Sequence, residues 1–403
     1  MPGEASAETP TVQLKFVDAG DLYVTWRWQH APAEPRALAV SRALVQPALD
    51  ALTAAIPTPR PGERLTAALD RAFAGPLADR DREIALSESL ARALIPARLA
   101  AEVNDFLRHG RRPHLRIQPS ASLGRVPWES LRVDAGERMV HDVDVSLLLP
   151  AGVRNAPGRR VSDAGDGSVV AVIDPVVPGG AFAPVLPGLA DDSPLGTELL
   201  TLGERLRGAR AGELSRRRID RDRLRALLAT ASRLLYVGHV TGGAHGLDVR
   251  MHLSCDAATT GRAPLLGPHR PLTAADLAGW RMPARVALLA CGSGRDAAYA
   301  EPAGLVTAMV AGGAEHVTAA RWTLPTDAAF GAGRPFSDAA VAVARAHAEP
   351  DDPAAAVGAW QRGRADAWEA GAGLEASPIV WAALTTAWAP PPARIASRHG
   401  TSA

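Results

Sequence analysis

The chain has 403 residues, enough for one large domain or two smaller ones, and 47% of them are hydrophobic, so a sizeable core is expected. Its formal net charge of +1 argues against a broad nucleic-acid-binding surface, and no apolar run reaches the roughly 18 residues of a membrane span. Two cysteines, Cys255 and Cys291, are too few for a disulfide scaffold, and the first residues lack a signal-peptide pattern. We therefore expect a protein of the reducing cytoplasm.

The first predicted elements are a β-hairpin and a group of helices. Residues 12–29 alternate apolar and polar side chains on both sides of an Asp-Ala-Gly-Asp turn, which is typical of a hairpin. Trp26 and Trp28 share one face of the second strand, where they could pack on the rest of the chain or pair with a partner. Helical spacing of apolar residues predicts helices over residues 36–56, 62–74 and 81–109, the last interrupted at Ile95-Pro96.

From residue 113 onwards the pattern changes to strands that alternate with helices. Strands are predicted at residues 115–118, 168–173, 234–237, 286–290, 315–320 and 379–386. Helices are predicted at residues 193–207, 220–231, 272–279, 301–312, 326–347 and 353–370, and a turn leading into a short helix at 123–131. This alternation is typical of βαβ units and a mainly parallel sheet, and the Pro-rich residues 389–403 are expected to be a disordered tail.

Two of the predicted strands end in a reactive side chain. His239 follows the apolar residues 234–237 and Gly238, and Cys291 follows residues 286–290 and precedes Gly-Ser-Gly. Open α/β sheets place their chemistry at the carboxyl ends of strands, and cysteine with histidine is the minimum set for a thiol nucleophile and its proton partner. His239 lies 52 positions before Cys291, close to the caspase spacing of about 50. The pattern predicts a caspase-like cysteine peptidase.

Other interpretations of these residues stay open at this point. A lone cysteine after an apolar strand is often an inert core thiol, and a lone histidine is often structural. His239, His245, His252 and Cys255 could instead hold zinc, although the second short-spaced ligand pair of the usual zinc type is missing from the sequence. We expect no metal and no cofactor.

Acidic side chains are candidates to line a pocket for a basic P1 residue, the residue before the scissile bond. The candidates for this S1 pocket are Asp276, Asp296 and Asp327, with Glu301 as a fourth. Such residues are more often solvated charges or helix caps, and Glu301 followed by proline is typical of a helix start.

An ordered series of segments from about residue 85 to 388 resembles the CHAT domain, a bacterial branch of the caspase and separase clan of cysteine peptidases. The segments are residues 90–96, Val-Pro-Trp-Glu-Ser-Leu at 126–131, Asp174-Pro175, Leu186-Pro187-Gly188 with Glu198, Tyr-Val-Gly-His at 236–239, Leu-Ala-Cys-Gly-Ser-Gly at 289–294, Gly304-Leu305, 311–314, 321–327, Pro378 and Trp381-Ala382. The resemblance implies a caspase-like three-layer α/β/α sandwich around a mainly parallel sheet over residues 85–388. It leaves residues 1–84 as a small N-terminal α+β extension, a candidate regulatory or docking segment.

The resemblance also implies roles for individual residues. Cys291 would attack the scissile carbonyl, and His239 would protonate the leaving amine and then activate water. Backbone N–H groups at Cys291 and in the 240–243 loop, with Gly238, Val240 and Gly292 as the candidate positions, would stabilise the oxyanion. The family usually has glycine directly after the histidine; Val240 keeps an N–H there but disfavours unusual φ values.

A wider role follows from the resemblance alone. It implies a protein substrate and an effector function in bacterial defence or cell death, controlled by an activating sensor or adaptor protein, with no direct nucleic-acid binding and no membrane association. The alternative is a catalytically silent caspase-like scaffold that binds a partner protein. Retention of both His239 and Cys291 favours the enzyme.

Overall fold

The structure is a computed structural model, and the residues that it describes are 9–133, 137–163, 165, 168–180, 182–186, 189–202, 215–243, 245–298, 304–349 and 352–391. Several predicted features lie outside this part of the chain: residues 203–207 of one helix, Pro187-Gly188, Glu301 and the tail beyond residue 391.

One ten-stranded sheet organises the molecule. Its strands are β1 (Thr11–Ala19), β2 (Asp21–Trp28), β3 (Arg36–Val40), β4 (His114–Gln118), β5 (Asp144–Leu147), β6 (Ser168–Ile173), β7 (Ala231–Val237), β11 (Arg285–Leu289), β12 (His316–Ala320) and β13 (Leu384–Trp388). A small separate sheet contains β8 (Val240–Thr241), β9 (Arg250–Met251) and β10 (Leu272–Thr273).

The order of strands in space confirms the mainly parallel sheet. It is β3-β2-β1-β4-β5-β13-β12-β11-β7-β6. The pairs β1–β4, β4–β5, β5–β13, β12–β11, β11–β7 and β7–β6 are parallel, and the pairs β3–β2, β2–β1 and β13–β12 are antiparallel. The interior strand β11 is buried along its whole length, as expected of a parallel strand covered on both faces.

Helices cover both faces of the sheet. They are α1 (Arg42–Ala55), α2 (Leu65–Phe73), α3 (Arg80–Leu94), α4 (Ala97–Arg108), α5 (Met139–Asp142), α6 (Ala151–Arg154), α7 (Pro194–Leu202), α8 (Arg221–Leu228), α9 (Leu305–Gly312), α10 (Pro335–Ala348), α11 (Pro353–Glu369) and α12 (Pro378–Trp381). Alternate residues of β7 and β11 enter two different cores: Leu235 and Leu289 pack with α7 and α10, and Leu234 and Leu288 pack with α8 and α9. The predicted three-layer α/β/α architecture is confirmed. In the described part of the chain, no helix is both long and apolar enough to cross a bilayer.

The N-terminal hairpin belongs to the same sheet as the strands that follow it. β1 pairs in parallel with β4 over five residue pairs, beginning with Thr11 opposite His114. Trp26 and Trp28 both donate indole N–H groups to the Glu102 carboxylate of α4, at 3.0 and 2.8 Å. The expectation that these tryptophans pack on the rest of the chain is confirmed. The regulatory or docking role of residues 1–84 stays a prediction.

Two predicted helices are wrong in part because strand pairing overrides local spacing. The helix predicted over 36–56 begins only at Arg42, since residues 36–40 form β3 against β2. The helix predicted over 272–279 is a short strand followed by turns. There the Asp276 carboxylate accepts hydrogen bonds from the Thr273 N–H and hydroxyl, which closes a turn.

Two other predicted elements have wrong boundaries. The helix predicted over 326–347 divides into a 3-10 turn at Asp327–Phe330 and α10, because Gly331 has φ +66° and a proline opens the second helix. The strand predicted over 379–386 begins at Leu384, after the short helix α12, which also opens with proline. Strand β5 was not predicted from the sequence.

Candidate active site

The register of two neighbouring strands brings His239 and Cys291 to one edge of the sheet. Val237 of β7 pairs with Leu289 of β11, and the Gly238 N–H donates to the Leu289 carbonyl at 3.2 Å. Each reactive residue lies two positions beyond this pair. Because the strands are parallel, both side chains emerge at the same level at the carboxyl edge, where chemistry is expected.

The ring of His239 is held by a segment that is distant in sequence. Its Nε2 donates a hydrogen bond to the Ala183 carbonyl oxygen at 2.8 Å, and the Phe182 ring stacks on it at a centroid distance of 4.7 Å. A carbonyl only accepts, so Nε2 carries the hydrogen and the neutral ring has Nδ1 as its free base. Burial lowers the pKa of His239, while the Ala183 carbonyl and Asp174 oppose that shift and Arg216 adds to it.

The backbone beneath His239 is fixed by Tyr236. The Tyr236 hydroxyl donates towards two carbonyl oxygens, those of His239 at 2.8 Å and His252 at 2.9 Å. A Cβ at Gly238 would lie 2.9 Å from that hydroxyl, so only glycine fits between Tyr236 and the histidine. The phenol is fully buried, and burial raises its pKa.

The thiol of Cys291 is half-buried and protonated at neutral pH. Its Sγ–H donates weakly to the Leu324 carbonyl oxygen at 3.7 Å. Burial raises the pKa of this thiol, although the backbone groups around it partly offset the shift. The pKa of His239 is shifted in the opposite direction, so burial favours the neutral form of both side chains.

The glycine that follows the thiol is required by its backbone. Gly292 has φ +60°, and a Cβ there would lie 2.7 Å from Cδ of Arg295. Its N–H donates to the Trp322 carbonyl at 3.0 Å. Since the Gly238 and Gly292 N–H groups both have acceptors in this structure, Val240, the first residue of β8, is the candidate oxyanion donor that we retain beside Cys291.

The three acidic S1 candidates lie at different places. The Asp276 carboxylate accepts from Thr273 and from the Arg262 N–H, beside the small sheet. Asp296 is buried and caps α9, accepting from the Val306 and Thr307 N–H groups. The remaining candidate, Asp327, accepts from the Phe336 and Ser337 N–H groups at the start of α10 and also lines a cavity.

That cavity, of about 420 Å³, lies between the two segments that hold the reactive pair. One wall begins at Pro184, directly after Ala183, whose carbonyl binds His239. The other wall begins at Thr326, two positions after Leu324, whose carbonyl binds Cys291. Its charged lining residues are Asp327, Arg334 and Asp338. Burial raises the pKa of Asp338, as does Asp327, whereas Arg364 and Arg334 lower it.

The residues of the zinc alternative each have a hydrogen-bond partner outside the set: His239 bonds to Ala183, His245 to Asp248, and His252 and Cys255 to His269. Nδ1 of His252 lies 3.0 Å from Nε2 of His269, and His269 in turn donates from Nδ1 to the Cys255 carbonyl at 2.8 Å. Burial, with a smaller contribution from the neighbouring His269, lowers the pKa of His252 to about 3. Among the residues that the structure describes, no group of three or more His, Cys, Asp or Glu side chains is arranged to hold a metal.

Sequence reasoning missed the groups that surround the pair. The Ala183 and Leu324 carbonyls carry no side-chain signal, and only the tertiary structure brings them to His239 and Cys291. Asp338 lies in the first turn of α10, where an acidic residue is ordinary, so its place in the cavity was also not predictable. Asp174 did carry a signal, because it directly ends a buried strand.

A mainly parallel sheet with histidine and cysteine at neighbouring strand ends defines an α/β protein with the residue pair of a caspase-like cysteine peptidase. The sequence model of the CHAT domain matches residues 85–387. The chain therefore belongs to the CHAT domain family, a caspase-like peptidase family.

Two crystal structures of the Saccharomyces cerevisiae separase–securin complex are also similar to this chain. Sequence identity is 10% in one and 11% in the other, and the TM-score is 0.48 in both. The similarity covers 94% of this chain but 30% of the matched chain, so this protein spans less than a third of that chain's length. No curated protein matches the sequence.

Proposed function

We propose that this protein is a cysteine endopeptidase that cleaves protein substrates through a Cys291–His239 dyad. The observation that carries the proposal is the shared register of the two residues, each two positions beyond the Val237–Leu289 pair. The hydrogen bond from Nε2 of His239 to Ala183 supports it further, because this bond leaves Nδ1 as the base.

The mechanism uses these groups in order. His239 takes the thiol proton as Sγ of Cys291 attacks the scissile carbonyl, and the tetrahedral oxyanion receives N–H groups from Cys291 and Val240. One such donor is typically worth about 3 kcal/mol of transition-state stabilisation. The imidazolium protonates the leaving amine to give a thioester, and His239 then activates water to hydrolyse it. The chemistry requires no cofactor.

The cavity beside the pair is the candidate S1 pocket. Asp327 and Asp338 give it two carboxylates against one arginine, Arg334, so it favours an Arg or Lys side chain of the substrate. The Asp327 carboxylate is already occupied by backbone N–H groups at the start of α10, which leaves Asp338 as the group to pair with a substrate cation. Asp276 closes a turn and Asp296 caps another helix, so they are the less favoured candidates.

We extend the proposal to the wider role implied by the family resemblance. The protein would act in a bacterial defence or cell-death system in the cytoplasm, and a sensor or adaptor protein would activate it. The neutral thiol supports control of this kind, because burial raises the pKa of Cys291 and so lowers its reactivity at rest. The same observation favours the second candidate function, a silent scaffold that binds a partner protein.

A peptide-library digest read by mass spectrometry tests the endopeptidase. Wild-type protein and the matched control Cys255→Ala should cleave with the same sequence preference, since Cys255 lies in the core away from the pair. Cys291→Ala and His239→Gln should not cleave. Cleavage that persists in Cys291→Ala would refute the dyad, and loss of the Arg or Lys preference in Asp338→Asn would support the pocket.

A further inference from the structure

Asp174 occupies a position beside the candidate dyad. It directly follows β6, and its N–H donates to the Val237 carbonyl at 2.6 Å, two residues before His239. The next residue, Pro175, packs at Gly238, where a Cβ would lie 3.3 Å from the proline ring. The chain therefore places this carboxylate at the same sheet edge as His239 and Cys291.

The environment of the Asp174 carboxylate is unusual for a structural residue. Asp174 is 1% exposed, and its Oδ2 atom has no hydrogen-bond partner. Its other oxygen lies 3.5 Å from an Arg216 guanidinium whose side chain is 42% exposed. Buried carboxylates are normally fully hydrogen-bonded, because desolvation is costly.

The backbone at this point is also strained. Asp174 has φ +44°, a left-handed conformation that is unfavourable for residues with a Cβ. Arg216, its ion-pair partner, has φ +57° as well. Strained backbone is retained where the surrounding structure requires a side chain in a particular place, and such positions cluster at functional sites.

Several charged or titratable groups act on the imidazole of His239. The Asp174 carboxylate favours the protonated ring, while Arg216 favours the neutral one. His252 is a further neighbour, linked to His239 by the Phe182 ring that packs on both, and Cys291 is the proton donor. During attack by the thiol, His239 becomes an imidazolium, and a buried anion nearby stabilises that charge.

We propose that Asp174 is a positioning residue of the same site: its carboxylate stabilises the protonated ring of His239. The neighbouring Arg216 guanidinium weakens that stabilisation. The effect of Asp174 on the protonation of His239 requires only the fold. Its effect on turnover rests on the proposed peptidase function. The Oδ2 atom of Asp174, which has no hydrogen-bond partner in the described structure, is free to accept a hydrogen bond once His239 is charged.

The first test reads the histidine directly and needs no activity. Ring-labelled histidine is followed by NMR against pH in the Cys291→Ala protein, and His239→Gln assigns the resonance. Asp174→Asn keeps the shape of the side chain and tolerates the left-handed backbone. It should lower the pKa of His239 by about one unit, and Arg216→Gln should raise it. An unchanged His239 titration in both variants would overturn the proposal.

The second test uses kcat/KM against pH for a cleaved peptide. In Asp174→Asn the acid limb should move to lower pH and kcat should fall about tenfold, whereas in Arg216→Gln the limb should move to higher pH. Asp144→Asn is the matched control, because Asp144 forms an ion pair with Arg112 at 2.9 Å away from the site, and its profile should match the wild type.

The two tests separate the two proposals. Opposite shifts of the His239 titration in a protein that cleaves nothing would leave the Asp174 relationship standing and count against a peptidase that is active without its partner. If kcat/KM falls equally in Asp174→Asn and Arg216→Gln and the acid limb of the pH profile moves in neither variant, Asp174 has a merely structural role.

Discussion

The Nε2–H of His239 donates to the carbonyl oxygen of Ala183 across 2.8 Å, although the two residues are 56 positions apart. The strand fixes where the histidine backbone lies, but this contact fixes which ring nitrogen can act as a base. The proposed catalysis by the pair therefore depends on the segment around residues 182–186 as well as on the sheet.

Shortening Phe182 tests that dependence. Its ring stacks on His239 at 4.7 Å and also contacts His252 at 4.4 Å, so Phe182→Ala should loosen the imidazole. We expect kcat/KM to fall about tenfold, because misorientation of a base raises the barrier. Phe106→Ala is the control: that ring packs on Trp28 and His30, far from the site, and the variant should keep wild-type kcat/KM.

The sequence was sufficient to predict that His239 and Cys291 follow the ends of strands, because strand patterns are local. Apolar runs that end in Gly-His and in Cys-Gly place both residues at strand ends, and parallel pairing of adjacent strands then brings them together. Helix and strand alternation likewise predicted the mainly parallel sheet. Each of these inferences needs only periodicity within about ten residues.

The rest depends on tertiary contacts that the sequence does not encode locally. Residues 36–40, Arg-Ala-Leu-Ala-Val, have the composition of a helix and become a strand only because β2 offers an edge. The Ala183 and Leu324 carbonyls are backbone groups, which any residue would supply. Asp338 reaches the cavity through the packing of α10 beside α7.

The two cysteines should react differently with iodoacetamide. Cys291 is half-buried and Cys255 fully buried, so Cys291 should be alkylated first, as peptide mass spectrometry would measure. Burial raises the pKa of both thiols, so the rate at Cys291 should still be rising above about pH 9. Equal rates at both cysteines would contradict the difference in burial, and a plateau at neutral pH would contradict a neutral resting thiol at Cys291.

Substitution of Gly292 should harm both stability and activity. Gly292→Ala combines φ +60° with a Cβ at 2.7 Å from Arg295. The substitution should therefore lower the free energy of unfolding by about 2 kcal/mol and displace Cys291. Gly267→Ala isolates the backbone effect, because Gly267 has φ +59° and open space around it, and about 1 kcal/mol is expected there. Urea denaturation measures both variants. Equal losses would mean that the Arg295 contact is unimportant.

The fold should lose stability as pH falls below about 6.5, because buried histidines must stay neutral. Burial lowers the pKa of His347 to about 3, and its Nε2 shares a 2.7 Å hydrogen bond with the Thr318 hydroxyl. The unfolded chain binds the proton first, so this residue's contribution falls by about 2 kcal/mol between about pH 6.5 and about pH 5. Urea midpoints at the two pH values should therefore differ less in His347→Gln than in the wild type. His30→Gln changes an exposed residue and should keep the wild-type difference; a His347→Gln difference as large as that of the wild type would show that His347 does not carry the acid sensitivity.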